Sequence, residues 1–147
     1  MLPKTILYAT DFSPNTSLAQ ELAIDLARAL SASLIVLHVL DPTLGYPPLE
    51  EGESPILKAR QAAADKSLQA LSQDCSHQGI SAEAILRVGF PAFEIVRLAE
   101  ERSVGLIIMG THGWTGLKHL IVGSTAENVV RTAKCGVLTV RAREDAP

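Results

Sequence analysis

A doubly wound α/β fold, an open five-stranded parallel sheet in the order 3-2-1-4-5 with helices on both faces, is what this sequence predicts. Three observations carry that expectation. Five short apolar runs alternate with four stretches of helical spacing, and such alternation specifies parallel pairing through right-handed crossovers. Three of the runs are continuously apolar, as strands covered on both faces are. The chain has 147 residues, one domain spanning 1–147, long enough to bury a core without disulfides or metals.

Each element follows in order. Residues 4–9 (KTILYA) read as a buried strand that stops at Thr10-Asp11-Phe12. Ser13 offers an N-cap oxygen and Pro14 a pre-set φ, so a helix should begin there. Leu18, Leu22, Leu26 and Leu30 recur beside Ala19, Ala23 and Ala27 as one apolar stripe running to residue 32. Residues 33–39 (SLIVLHV) form the second strand. Residues 41–55 hold four prolines, two glycines and the acidic Glu50, Glu51 and Glu53, so they read as a long loop. Such a loop suits a lid or interaction segment, and equally simple disorder.

A long helix is expected over 56–77, with Leu57, Ala64, Leu68, Leu71 and Cys75 on one face, and Gly79 stops it. Residues 82–88 alternate in polarity, which suits a strand nearer the sheet edge. Gly89 and Pro91 open a short helix to residue 101 carrying Phe93, Ile95, Val96 and Leu98. Residues 104–109 (VGLIIM) are a central strand, 124–133 a helix, and Val137 to Val140 the closing strand.

Composition excludes several classes. The formal charge is −3 and aromatics are 4% of the chain, which speaks against a nucleic-acid surface or a base-stacking platform. Cys75 and Cys135 lie far apart with no His or Cys at metal-ligand spacing, so both read as small apolar residues. The N-terminus lacks the pattern of a signal peptide, and no apolar run is long enough to cross a bilayer. The expected address is the cytoplasm, with no membrane and no nucleic-acid partner.

In an open α/β sheet, ligands sit outside the carboxyl ends of the strands where the strand order reverses. That directs attention to Thr10-Asp11, Val39-Leu40, Gly89 and the segment from Gly110 to Thr125. There a buried strand ends on Gly110, a glycine-bearing loop follows, and Gly123-Ser124 opens a helix. Glycines admit close approach to the main chain, and a helix start offers unpaired N–H groups to phosphate oxygens. Plain turn chemistry, with Ser124 as an ordinary N-cap, reads equally from spacing alone. The segment is neither a dinucleotide fingerprint nor a Walker A loop.

The spacing Gly110-x2-Gly113-x9-Gly123-Ser124 matches every fixed position of the G-2x-G-9x-G-[ST] signature of ATP-binding universal stress proteins. The opening Ile-Leu-Tyr-Ala-Thr-Asp-Phe-Ser resembles that family's first strand and its acidic residue. Ser124-Thr125-Ala126 resembles its helix start, and residues 134–140 its final strand, so the resemblance covers essentially the whole chain. It implies that Asp11 bonds the ribose hydroxyls, with Gly110 approaching from the fourth strand. It further implies that backbone groups of Val39 read the adenine edge. Gly113, Gly123, Ser124 and Thr125 then cradle the triphosphate, with Thr10, Met109 and His112 lining the pocket. ATP with magnesium or manganese is the implied cofactor, the cation held through the phosphates. A homodimer paired through Val137 to Val140 is implied too. One departure is Gly136, where the family commonly has proline.

His112 and His119 have no partner at triad or metal spacing and are assigned no chemistry. His38 reads as a core or near-pocket residue. Trp114 and Leu117 either present an apolar edge to a partner or fold back over the sheet. The expected function is a nucleotide-dependent stress sensor or regulator with an unknown protein partner and at most slow ATP hydrolysis. Two alternatives stand beside it. One is a dimeric interaction module with little nucleotide binding, which bulkier residues in the glycine motif would signal. The other is an adenylyl- or phosphoryl-transfer enzyme, which would need a His pair or catalytic lysine loop that the first strand's loop lacks.

Overall fold

The structure, a computed structural model, describes residues 1–43, 54–112 and 122–143. Five parallel strands form one sheet in the order β3-β2-β1-β4-β5. They are β1 (Thr5–Ala9), β2 (Ser33–Leu40), β3 (Ala82–Val88), β4 (Leu106–Gly110) and β5 (Gly136–Val140). Between them run α1 (Ser17–Leu30), α2 (Pro55–His77), α3 (Pro91–Glu101) and α4 (Ser124–Thr132). The expected strand order is the observed one. It places β3 at an edge, in keeping with its alternating sequence, and β1 at the centre between β2 and β4.

The two faces bury different residue sets, as a two-sided strand requires. Ile6, Tyr8, Leu34, Val36 and Ile108 point towards α1 and α2, whose Ala23, Leu68 and Cys75 complete that core. Leu7, Ile35, Leu37 and Ile107 point towards α3 and α4, meeting Ile95, Leu98, Ala126 and Val129. Right-handed crossovers therefore put α1 and α2 on one face and α3 and α4 on the other.

Several boundaries and faces differ from expectation. Pro14–Thr16 form a 3-10 turn before α1, and Ser13 does not cap it with its side chain. The buried stripe of α1 is Ala19, Ala23 and Ala27, while the leucines are only partly buried along its flanks. Small side chains let the helix lie close on the sheet, so the innermost face is the alanine one. Phe93 is 64% exposed and contributes nothing to the α3 core. The helix α2 ends as expected: Gly79 takes φ 80 and the Ile80 N–H reaches back to Cys75 O at 3.0 Å, the αL ending that glycine favours.

Candidate functional site

The strand order reverses between β1 and β4, so the turn after β1 and the turn after β4 face one another at the carboxyl end of the sheet. The turn after β1 is held by a continuous chain of hydrogen bonds. The Phe12 N–H donates to Thr10 Oγ1 at 2.9 Å. Thr10 Oγ1 lies 3.2 Å from Thr16 Oγ1, and the Thr16 hydroxyl donates to Ser13 O at 2.8 Å. Each hydroxyl has one hydrogen, so Thr10 must donate to Thr16. Tyr8 adds a donor from below, its phenol bonding Thr16 O at 3.1 Å. Burial pushes the Tyr8 phenol up in pKa, the threonine hydroxyls partly offset this, and the Asp11 carboxylate adds to the rise. Tyr8 is therefore neutral, as a donor must be.

Asp11 closes the turn by accepting the Ser13 N–H on Oδ1 at 2.9 Å. Phe12 between them has φ 59, a left-handed conformation that costs a side-chain-bearing residue about 1–3 kcal/mol. Its ring rests on His38 from β2, centroids 5.2 Å apart. His38 Nδ1 in turn lies 2.7 Å from Thr10 O. A carbonyl can only accept, so Nδ1 carries the hydrogen.

The turn after β4 packs directly on this one. A Cβ on Gly110 would lie 3.4 Å from both Asn15 O and Thr16 Cγ2, and 3.3 Å from His112 O, so the last residue of β4 has little room for a side chain. The Thr111 N–H donates to Val140 O at 3.0 Å, tying the turn to β5, and Thr111 O accepts the Gly123 N–H at 2.6 Å. Gly123 is the N-cap of α4, and among the described residues no side chain caps this helix. The first-turn N–H groups of α4 and its partial positive charge are suited to an acceptor.

A Cβ on Gly123 would stand 2.8 Å from Thr111 O, closer than any real contact of that kind, so the close approach admits glycine alone. His112 places Nδ1 3.1 Å from Thr111 Oγ1 and its Cδ2 towards Gly123. His112 Nε2 and Ser13 Oγ are buried polar atoms without a hydrogen-bond partner among the described residues. Such orphans call for a water or ligand group.

The candidate residues divide accordingly. Asp11, Gly110, His112, Gly123, Ser124 and Thr125 come from the turn after β1, the turn after β4 and the start of α4. Ser124 is the first helical residue, and the N-cap is Gly123. Thr10 is buried and its hydroxyl is spent inside the turn, so its side chain organises the loop. Met109 is buried in the core beneath α3 and α4, and Val39 packs half-buried against the same cluster. Gly113, Trp114, Leu117 and His119 lie outside the described residues, as do residues 44–53 of the long loop. Sequence reasoning overlooked Tyr8, Thr16 and Phe12, and read His38 as a core or near-pocket residue without naming its contacts. A polar residue inside the apolar run of β2 is the one signal that pointed to it. Among the described residues no group of three His, Cys, Asp or Glu could hold a metal ion. None of their helices is long and apolar enough to cross a membrane.

An open, doubly wound sheet with a glycine-opened helix at its switch point defines a Rossmann-like α/β protein. Within that class the chain belongs to the universal stress protein family, whose model matches residues 3–141. It is 32% identical to Universal stress protein MJ0577 of Methanocaldococcus jannaschii over 153 residues, covering 94% of each chain. A universal stress protein of Thermus aquaticus is 37% identical over 142 residues, covering 94% of this chain and 98% of that one. The solved structure of MJ0577 matches with a TM-score of 0.84, covering 97% of this chain and 98% of that one. A universal stress protein solved in complex with cAMP matches with a TM-score of 0.72 at 25% identity, covering 97% of this chain and all of that one.

Proposed function

We propose that this protein binds ATP at the β1/β4 switch point and acts in the cytoplasm as a nucleotide-dependent regulator of a stress response. The observation that carries the reading is the start of α4. Its N-cap is a glycine, no side chain among the described residues caps it, and a Cβ there would meet Thr111 O at 2.8 Å. A helix start kept bare in this way is suited to phosphate oxygens. The buried, unpartnered His112 Nε2 beside it fits the same purpose. In this reading Gly123, Ser124 and Thr125, with Gly113, receive the triphosphate. Asp11 accepts the ribose hydroxyls and the Val39 backbone meets the adenine edge. The likeness to a family member solved with cAMP supports an adenine nucleotide.

Magnesium or manganese, when bound with ATP, would neutralise phosphate charge. In this reading the phosphates and water supply most of its ligands, and the described residues hold no metal cluster. The described residues between β4 and α4 are Thr111, His112, Val122 and Gly123, which bring no carboxylate or arginine to the phosphates. In this reading hydrolysis is slow or awaits a partner. The edge strand β5 pairs with β4 on one side only, and a second copy joined along Val137 to Val140 would cover its open side.

The test is the nucleotide content of protein purified without added ligand, followed by calorimetric titration with ATP–Mg. Stoichiometric ATP or saturable uptake is expected. Protein that arrives empty and takes up none refutes the reading and favours a dimeric interaction module. ADP alone would point to the transfer-enzyme alternative.

A further inference from the structure

We infer that His38 is a positioning residue for the nucleotide site, locking the Asp11 turn from the neighbouring strand. The inference rests on the nucleotide reading of Asp11 and adds a residue to it. His38 lies one position beyond the last β1–β2 pair, Ala9 with Leu37, so its ring reaches the main chain just past β1. Two contacts meet there. Nδ1–H donates to Thr10 O at 2.7 Å, and the ring supports Phe12 at 5.2 Å between centroids. Thr10 and Phe12 flank Asp11 in the chain, so the imidazole grips the turn on both sides of the carboxylate.

The grip is needed because Phe12 has φ 59, which a phenylalanine does not hold unaided. Released, Phe12 would relax towards negative φ, and a peptide rotation there would swing the Ser13 N–H away from Asp11 Oδ1. That 2.9 Å bond helps to fix the carboxylate rotamer. The hydrogen-bond chain through Thr10 and Thr16 holds the turn from the α1 side, and His38 holds it from the β2 side. His38 thus sets where Asp11 points. A loosened carboxylate has to be ordered by the ligand, and affinity falls by the cost of that ordering.

The experiment compares wild type, His38→Leu, His38→Gln and His38→Asn by ATP–Mg titration and by amide exchange. An asparagine amide sits where Nδ1 does, whereas a glutamine amide reaches to the position of Nε2. His38→Leu and His38→Gln are expected to bind ATP about tenfold more weakly, equivalent to ~1.4 kcal/mol. His38→Asn should recover most of the loss. In an Asp11→Asn background His38→Leu should cost less than twofold, because the group it positions is gone. Phe12 and Ser13 amides should lose protection in His38→Leu and His38→Gln without nucleotide present.

Additive losses in the double variant, or equal affinity for His38→Gln and His38→Asn, overturn the inference. Wild type that binds no ATP overturns the nucleotide reading and the affinity claim together. Exchange then judges the lock alone, and unchanged Phe12 and Ser13 protection overturns that as well.

Discussion

Replacing Gly123 by alanine is the sharpest perturbation available at the start of α4. Gly123 has φ −74 and ψ 164, a conformation open to any residue, so alanine adds no backbone strain. What it adds is one methyl group, 2.8 Å from Thr111 O. Carbon and carbonyl oxygen tolerate about 3.3 Å at closest, so the two must part by roughly half an ångström. Thr111 cannot retreat freely. Its N–H is bonded to Val140 O at 3.0 Å, and its carbonyl already holds the Gly123 N–H at 2.6 Å. The start of α4 moves instead.

Overpacking of this kind costs about 1–3 kcal/mol, and alanine is a poorer N-cap than glycine by some tenths of a kcal/mol. At about 2–4 °C per kcal/mol for a chain of this size, that lowers Tm by roughly 3–14 °C. In the proposed binding mode the displacement also spoils helix-start hydrogen bonds to phosphate. A hydrogen bond to a charged group is worth about 1.5–3 kcal/mol, so losing one weakens ATP by roughly 10- to 150-fold. Calorimetric titration with ATP–Mg and thermal unfolding of the same samples read the two effects separately. Affinity within twofold of wild type, together with the expected fall in Tm, would show that the bare helix start serves packing and not phosphate.

Two further predictions concern charge. Asp11→Asn keeps an oxygen for the Ser13 N–H, bonded at 2.9 Å in the native turn, so the loop survives while the carboxylate is lost. ATP should bind about tenfold more weakly and 2′-deoxy-ATP should lose less, by competition titration; equal losses would place the ribose elsewhere. At the edge of the sheet, the Arg87 guanidinium holds the Glu101 carboxyl below its ordinary value, chiefly by a hydrogen bond. A lowered carboxyl pKa contributes stability that is present above about pH 4.5 and lost as pH falls through the lower folded value. The difference in Tm between wild type and Glu101→Gln should therefore shrink on going from about pH 6 to pH 3. A constant difference would mean the ion pair contributes nothing.

The sheet was legible because its strands announce themselves twice, by apolar content and by the turn residues between them. An edge place for β3 and an inner one for β4 followed from alternation in 82–88 against continuity in 104–109. The face of α1 was not legible. Leu18, Leu22, Leu26 and Leu30 make the louder stripe, yet Ala19, Ala23 and Ala27 lie deepest. Hydrophobicity ranks leucine first, but a helix laid closely on a sheet needs its smallest residues innermost. That requirement comes from the distance between layers, which the sequence does not carry.

The site shows the same division between what is local and what is brought together. The glycine spacing is a local signal, because a close main-chain approach leaves glycine as the one residue that fits. Roles that depend on a neighbouring strand leave no such mark. Thr10, expected to line a pocket, turns its hydroxyl into its own loop because Thr16 is within reach there. His38 meets Thr10 O across 28 positions of sequence, a contact that exists only once β2 lies beside β1 in that register. Asp11 is therefore two things at once. It is a motif residue that any reader of the chain would select, and the centre of a strained turn whose hold comes in part from a different strand. Affinity at this site should accordingly respond as much to residues outside the proposed ligand contacts as to the glycines proposed to make them.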